Sequence, residues 1–170
     1  MRVTTLDPSA AAEYRELMLH AYERAADAFT STREERANEP ESWWAKRIAS
    51  ADGLGVAFGA YQEDRLIGTV ALEFSAKPKT RHKAHLIGMF VLESCRGLGA
   101  GKALVQAAIE CATSRPSVRS MILTVTEGNE AAIHLYRACG FLEFGKEPMA
   151  ILTPSGYKAK LHMWRDLKNG

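Results

Sequence analysis

The chain has little of what marks several large classes of protein. Its 170 residues include only three cysteines and no CxxC pair, so neither a disulfide framework nor a zinc site is indicated. His82 and His85 have HxxH spacing, but no cluster of carboxylates or cysteines accompanies them, and we expect no metal. No apolar run reaches the ~18 residues of a membrane helix, and the amino terminus lacks the apolar segment of a signal peptide. These absences predict a cytoplasmic protein in a reducing compartment, without a membrane partner.

The charges are nearly balanced and dispersed along the chain. Lys and Arg number 22, Asp and Glu number 20, and the formal net charge is +2. A nucleic-acid-binding protein usually carries a basic stripe, and we see none, so we expect no nucleic-acid partner. The length fits one domain, and the hydrophobic fraction of 46% is ordinary for a globular protein. We therefore treat residues 1–170 as a single domain.

Start and stop signals predict four helices. Asp7 followed by Pro8 is typical of a helix start. Further on, Thr32 with Glu35 has the spacing of a capping box, as does the pair one residue earlier, Ser31 with Glu34. The predicted helices cover residues 8–26, 41–50, 100–114 and 129–140.

Six apolar stretches predict strands. The first two are separated by Glu63 and Asp64, which is the length of a tight hairpin. Gly88 lies inside the third, where a glycine often marks a bulge or a close backbone approach. The predicted strands cover residues 53–62, 65–75, 84–93, 118–128, 141–152 and 156–167. This order indicates an α/β domain with a mixed sheet.

Residues 96–102 read RGLGAGK, and three glycines in five positions raise the question of what the backbone approaches there. A P-loop requires Ser or Thr after the lysine, but Ala103 follows, and Arg96 stands where the first glycine belongs. A dinucleotide fingerprint requires a third glycine where Lys102 stands. A strand-to-helix loop whose N–H groups and flanking cations bind an anion fits better. The alternative is a tight turn that binds nothing.

The chain resembles the GNAT acetyltransferases at this point. RGLGAG fits the R/Q-x-x-G-x-G/A motif of that family, and the preceding GMFVLES looks like its fourth strand. NEAAIHLYRACGF, residues 129–141, is similar to the segment N-x-x-A-x-x-L-Y-x-x-x-G-F. The resemblance is specific over residues 84–145 and looser elsewhere. It implies a mixed, mostly antiparallel central sheet flanked by helices, in which two central parallel strands splay apart.

The resemblance implies acetyl-CoA as co-substrate and no metal. The pyrophosphate would lie on the backbone N–H groups of residues 97–102, and the pantetheine arm would pair with the central strand around Phe90 and Val91, whose side chains fit a core. Asn129 would contact the cofactor arm or, as an alternative, cap its helix. The cofactor-binding residues so implied are Met89, Phe90, Val91, Arg96, Gly97, Leu98, Gly99, Ala100, Gly101, Lys102 and Asn129.

The resemblance also implies direct transfer, in which an amine attacks the thioester and CoA thiolate leaves. A backbone N–H near residues 89–91 would polarise the thioester carbonyl. Tyr136 matches the family tyrosine that protonates the leaving sulfur, although a packed helix aromatic is the alternative. Two residues are candidates for the base: His85 near the start of the central strand and Glu73 at the end of the preceding one. Cys95 adjoins the loop and is taken as structural.

The sequence therefore predicts an N-acetyltransferase acting on an amine, most simply a small molecule, with a protein N-terminus as an alternative acceptor. Another acyl group or a hydroxyl acceptor stays open. A second class of function is a non-catalytic module that binds acyl-CoA as a regulatory signal. Phe29, Trp43 and Trp44 pack on the sheet or form a wall of the acceptor pocket. The sheet edge could support a homodimer, which the sequence leaves open.

Overall fold

The structure is a computed structural model that describes residues 1–168. Within these residues there are seven strands, five α-helices and three short 3₁₀ turns, the last at Pro8–Ala10, Ala26–Ala28 and Glu93–Cys95. The strands are β1 (Arg2–Thr5), β2 (Gly55–Gln62), β3 (Arg65–Phe74), β4 (Lys83–Val91), β5 (Ser120–Thr126), β6 (Leu142–Thr153) and β7 (Gly156–Asp166). The helices are α1 (Ala11–Arg24), α2 (Arg33–Ala37), α3 (Glu41–Ile48), α4 (Ala100–Ser114) and α5 (Glu130–Ala138).

The seven strands form one sheet in the order β1-β2-β3-β4-β5-β7-β6. Every neighbouring pair is antiparallel except β4 and β5, which are parallel. The β2–β3 hairpin closes on the pair Gln62 and Arg65, so its two-residue turn is confirmed. The predicted fold class, a mixed and mostly antiparallel sheet flanked by helices, is confirmed.

The two parallel strands separate soon after they start. Pairing between β4 and β5 covers only residues 83–85 with residues 120–122. On its other side β4 pairs Ile87 with Ala71 and Phe90 with Thr69, so β4 has one extra residue in this interval. Gly88 lies in this bulge with φ +61, a left-handed value that favours glycine. The bulge bends β4 away from β5, and the predicted splay is present.

Local signals account for most helix ends. The Asp7 side chain accepts the backbone N–H of Ser9, and Pro8 opens the first turn as predicted, although this turn is 3₁₀ before α1 begins. The Thr32 and Glu35 capping box is complete and starts the short helix α2. Ser31 does not form the other box, because its hydroxyl accepts from the Arg36 side chain instead.

One strand was not predicted. β1 has four residues and pairs with β2. Each residue of β1 lies more than 50 residues away along the chain from its partner in β2. A strand that short carries too few residues for an alternating pattern, so its position depends on the long-range pairing with β2. The first predicted helix is thus preceded by an edge strand.

Helices cover both faces of the sheet. Gly68 on β3 faces α4. A Cβ added to Gly68 would lie 3.0 Å from the Phe90 carbonyl oxygen and 3.2 Å from the Leu104 side chain. Side chains of the opposite alternation, such as Ala71, face α1 and α3. Trp44 of α3 is fully buried against Tyr14 of α1, which confirms that one of the paired tryptophans packs in the core. Among residues 1–168, no helix is long and apolar enough to cross a membrane.

Candidate active site

Two cavities meet where β4 and β5 separate. The larger, which we call the loop cleft, has a volume of about 710 Å³ and runs along residues 96–102. The smaller, which we call the inner cavity, has a volume of about 360 Å³ and lies between the splayed strands, α1, α3 and α5. Residues that line both cavities are Ala28, Phe29, Met89, Thr126, Asn129 and Ala132. A ligand in the cleft can therefore present one end to a second ligand in the cavity.

The glycine loop offers free backbone donors to the loop cleft. Within the part of the chain that the structure describes, no acceptor takes the N–H groups of residues 97–102. The next residue along the chain, Ala103, is the first whose N–H is paired: it donates to the Gly99 carbonyl at 3.0 Å. Unpaired N–H groups at a helix N-terminus, together with the helix dipole, favour an anion. The loop thus has the donors that a phosphate needs.

Two of the glycines are required by backbone conformation. Gly97 has φ +79 and Gly99 has φ +84, and a Cβ on either would meet no atom of the described chain within 4 Å. Gly101 serves a different purpose, because a Cβ there would lie 3.2 Å from Leu135 and 3.3 Å from Met89. The first two glycines therefore shape the turn and leave open space beside it, whereas the third keeps α4 close to α5 and β4.

The basic residues of the loop both line the cleft. Arg96 donates its Nε–H to the Val91 carbonyl at 3.2 Å, and its guanidinium carbon lies 5.8 Å from the centre of the Phe90 ring. These contacts hold the Arg96 charge beside β4. Lys102 lies on the first turn of α4. Leu98 is 60% exposed and lines neither cavity, so its contact with a cofactor stays a prediction.

The end of β4 forms one wall of the loop cleft. Phe90 and Val91 have buried side chains, as a core strand predicts, while Met89 is half-buried and lines both cavities. Because pairing with β5 ends at His85, the edge of β4 that faces β5 carries unpaired backbone groups here. Such an edge can pair with an extended ligand through main-chain hydrogen bonds.

Tyr136 lines the inner cavity but not the loop cleft. Its side chain is 5% exposed and packs edge-on against Phe141, with ring centres 5.9 Å apart. Burial raises the pKa of Tyr136 well above its ordinary value, so the phenol stays protonated near neutral pH. We find no hydrogen bond to its hydroxyl anywhere in residues 1–168. The residue is both a packed aromatic and a group able to donate a proton.

Asn129 occupies the N-cap of α5. Its side-chain oxygen accepts the backbone N–H of Ala132 at 3.3 Å, so the capping interpretation is confirmed. The residue also lines both cavities, which keeps its contact with a cofactor arm as a prediction.

The two candidate bases face each other on adjacent strands. Glu73 of β3 pairs directly with His85 of β4, and both line the inner cavity. Burial lowers the pKa of His85 below its ordinary value of 6.5, and the nearby carboxylate of Glu73 opposes part of that shift. His85 is therefore neutral, and able to accept a proton, near pH 7. It lies where the parallel strands are still paired, four residues before Met89 at the junction.

Sequence reasoning missed several residues of the inner cavity, four of which lie on separate elements. Tyr22, Arg36, Arg47 and Lys160 come from α1, α2, α3 and β7, and all of them line it. No motif connects segments so far apart in the chain, so only the tertiary fold brings them together. Phe29 lines both cavities, which supports the interpretation of that aromatic as a pocket wall.

A polar contact also joins the turn after α1 to the carboxyl-terminal strands. Lys158 Nζ lies 2.9 Å from the Asp27 carboxylate, and the Thr126 hydroxyl donates to the Asp27 carbonyl at 2.7 Å. Asp27 and Lys158 both line the loop cleft. These contacts tie the turn after α1 to β5 and β7 beside the loop cleft.

The fold and this paired-cavity site define an acetyltransferase scaffold, and comparison with known families agrees. The model of the Acetyltransferase (GNAT) family matches residues 16–141. Since that match covers most of the chain, the protein belongs to the GNAT family. Groups of three or more His, Cys, Asp or Glu that could hold a metal are not found among residues 1–168.

Individual relatives are similar in sequence or in fold. An "N-alpha-acetyltransferase" of Sulfurisphaera tokodaii is 36% identical over 66 residues, which is 39% of this chain and 40% of the relative. The match thus spans less than half of either protein. The ribosomal-protein-alanine N-acetyltransferase of Brucella melitensis superposes with a TM-score of 0.79 at 23% identity, covering 98% of this chain and 99% of that one. The protein yncA of Salmonella typhimurium, solved with its cofactor acetyl-CoA, gives a TM-score of 0.80 at 18% identity, covering 98% and 94%. These two structures share the fold.

Proposed function

We propose that this protein transfers the acetyl group of acetyl-CoA to the amine of a small molecule by direct attack. The observation that carries the proposal is the meeting of the two cavities at the splay. One is lined by unpaired N–H donors of the glycine loop, and the other by groups that can move protons. The residues present fit acetyl-CoA, because residues 97–102 supply anion donors beside open space. When bound, acetyl-CoA supplies the activated acetyl group.

The remaining chemistry belongs to the side chains and backbone of the site. A backbone N–H of residues 89–91, on the unpaired edge of β4, would stabilise the developing charge on the carbonyl oxygen. The buried phenol of Tyr136 would donate a proton to the leaving sulfur. The attacking amine must first lose a proton, since amines near pKa ~10 are mostly charged at neutral pH.

His85, with Glu73 opposite, is our candidate for taking that proton. Four residues of extended strand separate His85 from Met89, which corresponds to at most about 13 Å. Because one hydrogen bond spans only about 3 Å, a chain of waters would carry the proton from the amine to the imidazole. Neutral His85 is available for it because burial lowers the pKa of the ring.

The volume of the inner cavity favours a small acceptor. Its 360 Å³ lies at the lower end of the ~300–1,000 Å³ typical of small-molecule pockets. The names of two relatives suggest a protein N-terminus as the other candidate.

The test is amine-dependent release of CoA thiol, measured with a panel of small amines and short peptides. Wild type should release thiol with at least one small amine. Tyr136→Phe should lower kcat by about 10²-fold or more, the typical contribution of a positioned acid, while calorimetry shows acetyl-CoA affinity unchanged. Binding of acetyl-CoA without release for any acceptor would support the non-catalytic module instead.

A further inference from the structure

The inner cavity carries more cations than anions. Among residues 1–168, its charged lining consists of Arg36, Arg47 and Lys160 against one carboxylate, that of Glu73. A cavity built for a bare cationic amine would carry the opposite excess, because an ammonium group is stabilised by carboxylates. The lining therefore suits a molecule that brings negative charge of its own.

Two of the cations are held together by one aromatic ring. The guanidinium carbon of Arg36 lies 4.5 Å from the centre of the Trp43 ring, and that of Arg47 lies 5.5 Å from the same centre. Stacking on one indole holds both guanidinium groups against the same ring, and both arginines line the cavity. An anion bound in the cavity would be attracted by both positive charges.

The two arginines differ in how many of their side-chain N–H groups have partners within the protein. Arg36 is paired with Glu39, with Nη1 3.4 Å from the carboxylate, and its Nε–H donates to Ser31 at 3.1 Å. Arg47 has a buried Nε with no hydrogen-bond partner in the part of the chain that the structure describes. The fully buried Tyr14 hydroxyl beside it is also unpaired there, and burial raises the pKa of Tyr14 to about 12. Arg47 is thus a half-buried cation that makes no ion pair at contact distance among the described residues, although the Glu73 carboxylate lies near enough to raise the pKa of Arg47.

We infer that the acceptor is a small amine that also carries a carboxylate, with Arg47 and Arg36 holding that carboxylate while the amine faces the junction. The inference rests on the proposed function and names the substrate class of the same site. A guanidinium matches a carboxylate in a two-bond, planar arrangement, which gives orientation as well as attraction. The carboxylate thereby fixes the distance from the arginine pair to the amine.

The rest of the lining indicates what else the acceptor carries. Tyr22, Phe29, Leu86 and Ile87 supply an apolar surface to the same cavity. Tyr22 and Phe29 are packed edge-on with ring centres 5.3 Å apart, which makes that part of the wall rigid. An α-amino acid with an apolar side chain satisfies all three requirements: amine, carboxylate and apolar group.

The test compares acceptors that differ only in the carboxylate. Phenylalanine is matched with phenethylamine, leucine with isoamylamine, and phenylalaninamide adds an uncharged carbonyl that imitates a peptide N-terminus. The readout is kcat/KM for thiol release at saturating acetyl-CoA. For at least one pair we expect the amino acid to exceed the bare amine by about tenfold or more, the usual effect of a charge-assisted hydrogen bond. Phenylalaninamide should resemble the bare amine.

Variants assign the effect to the arginine pair. Arg47→Gln and Arg36→Gln should each reduce the ratio of the amino acid to its bare amine, chiefly through the KM of the amino acid. Lys46→Gln and Arg33→Gln are matched controls, because these exposed cations belong to the same two helices and line neither cavity. The controls should keep the wild-type ratio. If Arg47→Gln does not fold, Arg36→Gln carries the comparison.

The outcomes separate this inference from the proposed function. Equal rates within every pair, or a ratio that survives both arginine variants, would overturn the inference while leaving amine acetylation in place. If none of these amines is acetylated, calorimetry on protein saturated with CoA decides: leucine binding more tightly than isoamylamine supports the inference, and equal or absent binding overturns it. Failure of the proposed function itself would appear as no turnover with any amine of the wider panel.

Discussion

Replacing Gly99 with alanine separates the structural role of the glycine loop from its binding role. Gly99 has φ +84, and a left-handed conformation costs a non-glycine residue about 1–2 kcal/mol. No atom of the described chain lies within 4 Å of the added Cβ, so we expect no further loss from packing. At about 2–4 °C per kcal/mol for a chain of this size, Tm should fall by about 2–8 °C.

Gly53 provides the matched control. It has φ +72, and its added Cβ likewise meets nothing within 4 Å, but it lies in the turn before β2 and lines neither cavity. Gly53→Ala should therefore lose a similar amount of stability. Acetyl-CoA binding should respond to Gly99→Ala alone, because only that methyl group enters the space beside the free N–H groups.

The expected loss of affinity follows from the hydrogen bonds that the methyl group displaces. One hydrogen bond to a charged group is worth about 1.5–3 kcal/mol, which corresponds to a factor of about 10 or more in Kd. Thermal unfolding and calorimetric titration with acetyl-CoA measure the two effects separately. If Gly99→Ala loses stability as Gly53→Ala does but binds acetyl-CoA as tightly as wild type, the glycines serve only a turn, and the anion argument is refuted.

Three further variants test the proposed base, the packing of the core and a helix cap. His85→Gln should remove the acid limb of the pH–rate profile, which in wild type lies below 6.5 because burial lowers the pKa of His85; an unchanged limb would exclude it as the base. Because the pKa of His85 is lower in the folded protein, the unfolded chain takes up a proton at this residue first as the pH falls. The contribution of His85 to the free energy of unfolding is therefore complete above pH 6.5 and decreases below pH 6.5. In urea denaturation, stability should fall less steeply below pH 6.5 for His85→Gln than for wild type. Leu104→Ala, in the fully buried layer between α4 and β3, should cost about 2–5 kcal/mol in urea unfolding. Thr32→Ala removes the capping box of α2 and should lower the free energy of unfolding by about 1 kcal/mol. A loss of stability near zero would contradict the role of Thr32 as a cap.

Where the sequence predicted structure well, the signal was local. The Asp7 cap, the turn at residues 63–64 and the glycine at the start of α4 each depend on neighbours within a few residues. The bulge at Gly88 was also expected from a glycine inside an apolar strand, and it accounts for the splay. Motif spacing placed residues 96–102 at the cleft because loop and helix are contiguous in the chain.

Where prediction failed, the cause was long-range. β1 depends on partners more than 50 residues away, so four residues of its own could not indicate it. The cations of the inner cavity come from three separate elements, and their relation appears only when α2, α3 and β7 converge. Trp43 illustrates the limit: its sequence position indicated packing or a pocket wall, whereas its stacking with Arg36 and Arg47 required coordinates.

The central claim is that acetyl groups pass from acetyl-CoA to an amine across the junction of the two cavities. The most direct measurement is mass spectrometry of the amine panel after incubation with acetyl-CoA labelled with deuterium in its acetyl group. We predict that at least one small amine gains the labelled acetyl group with wild type, and that it gains much less with Tyr136→Phe. Label that leaves only as free acetate, or that stays on CoA while binding is intact, would contradict the account.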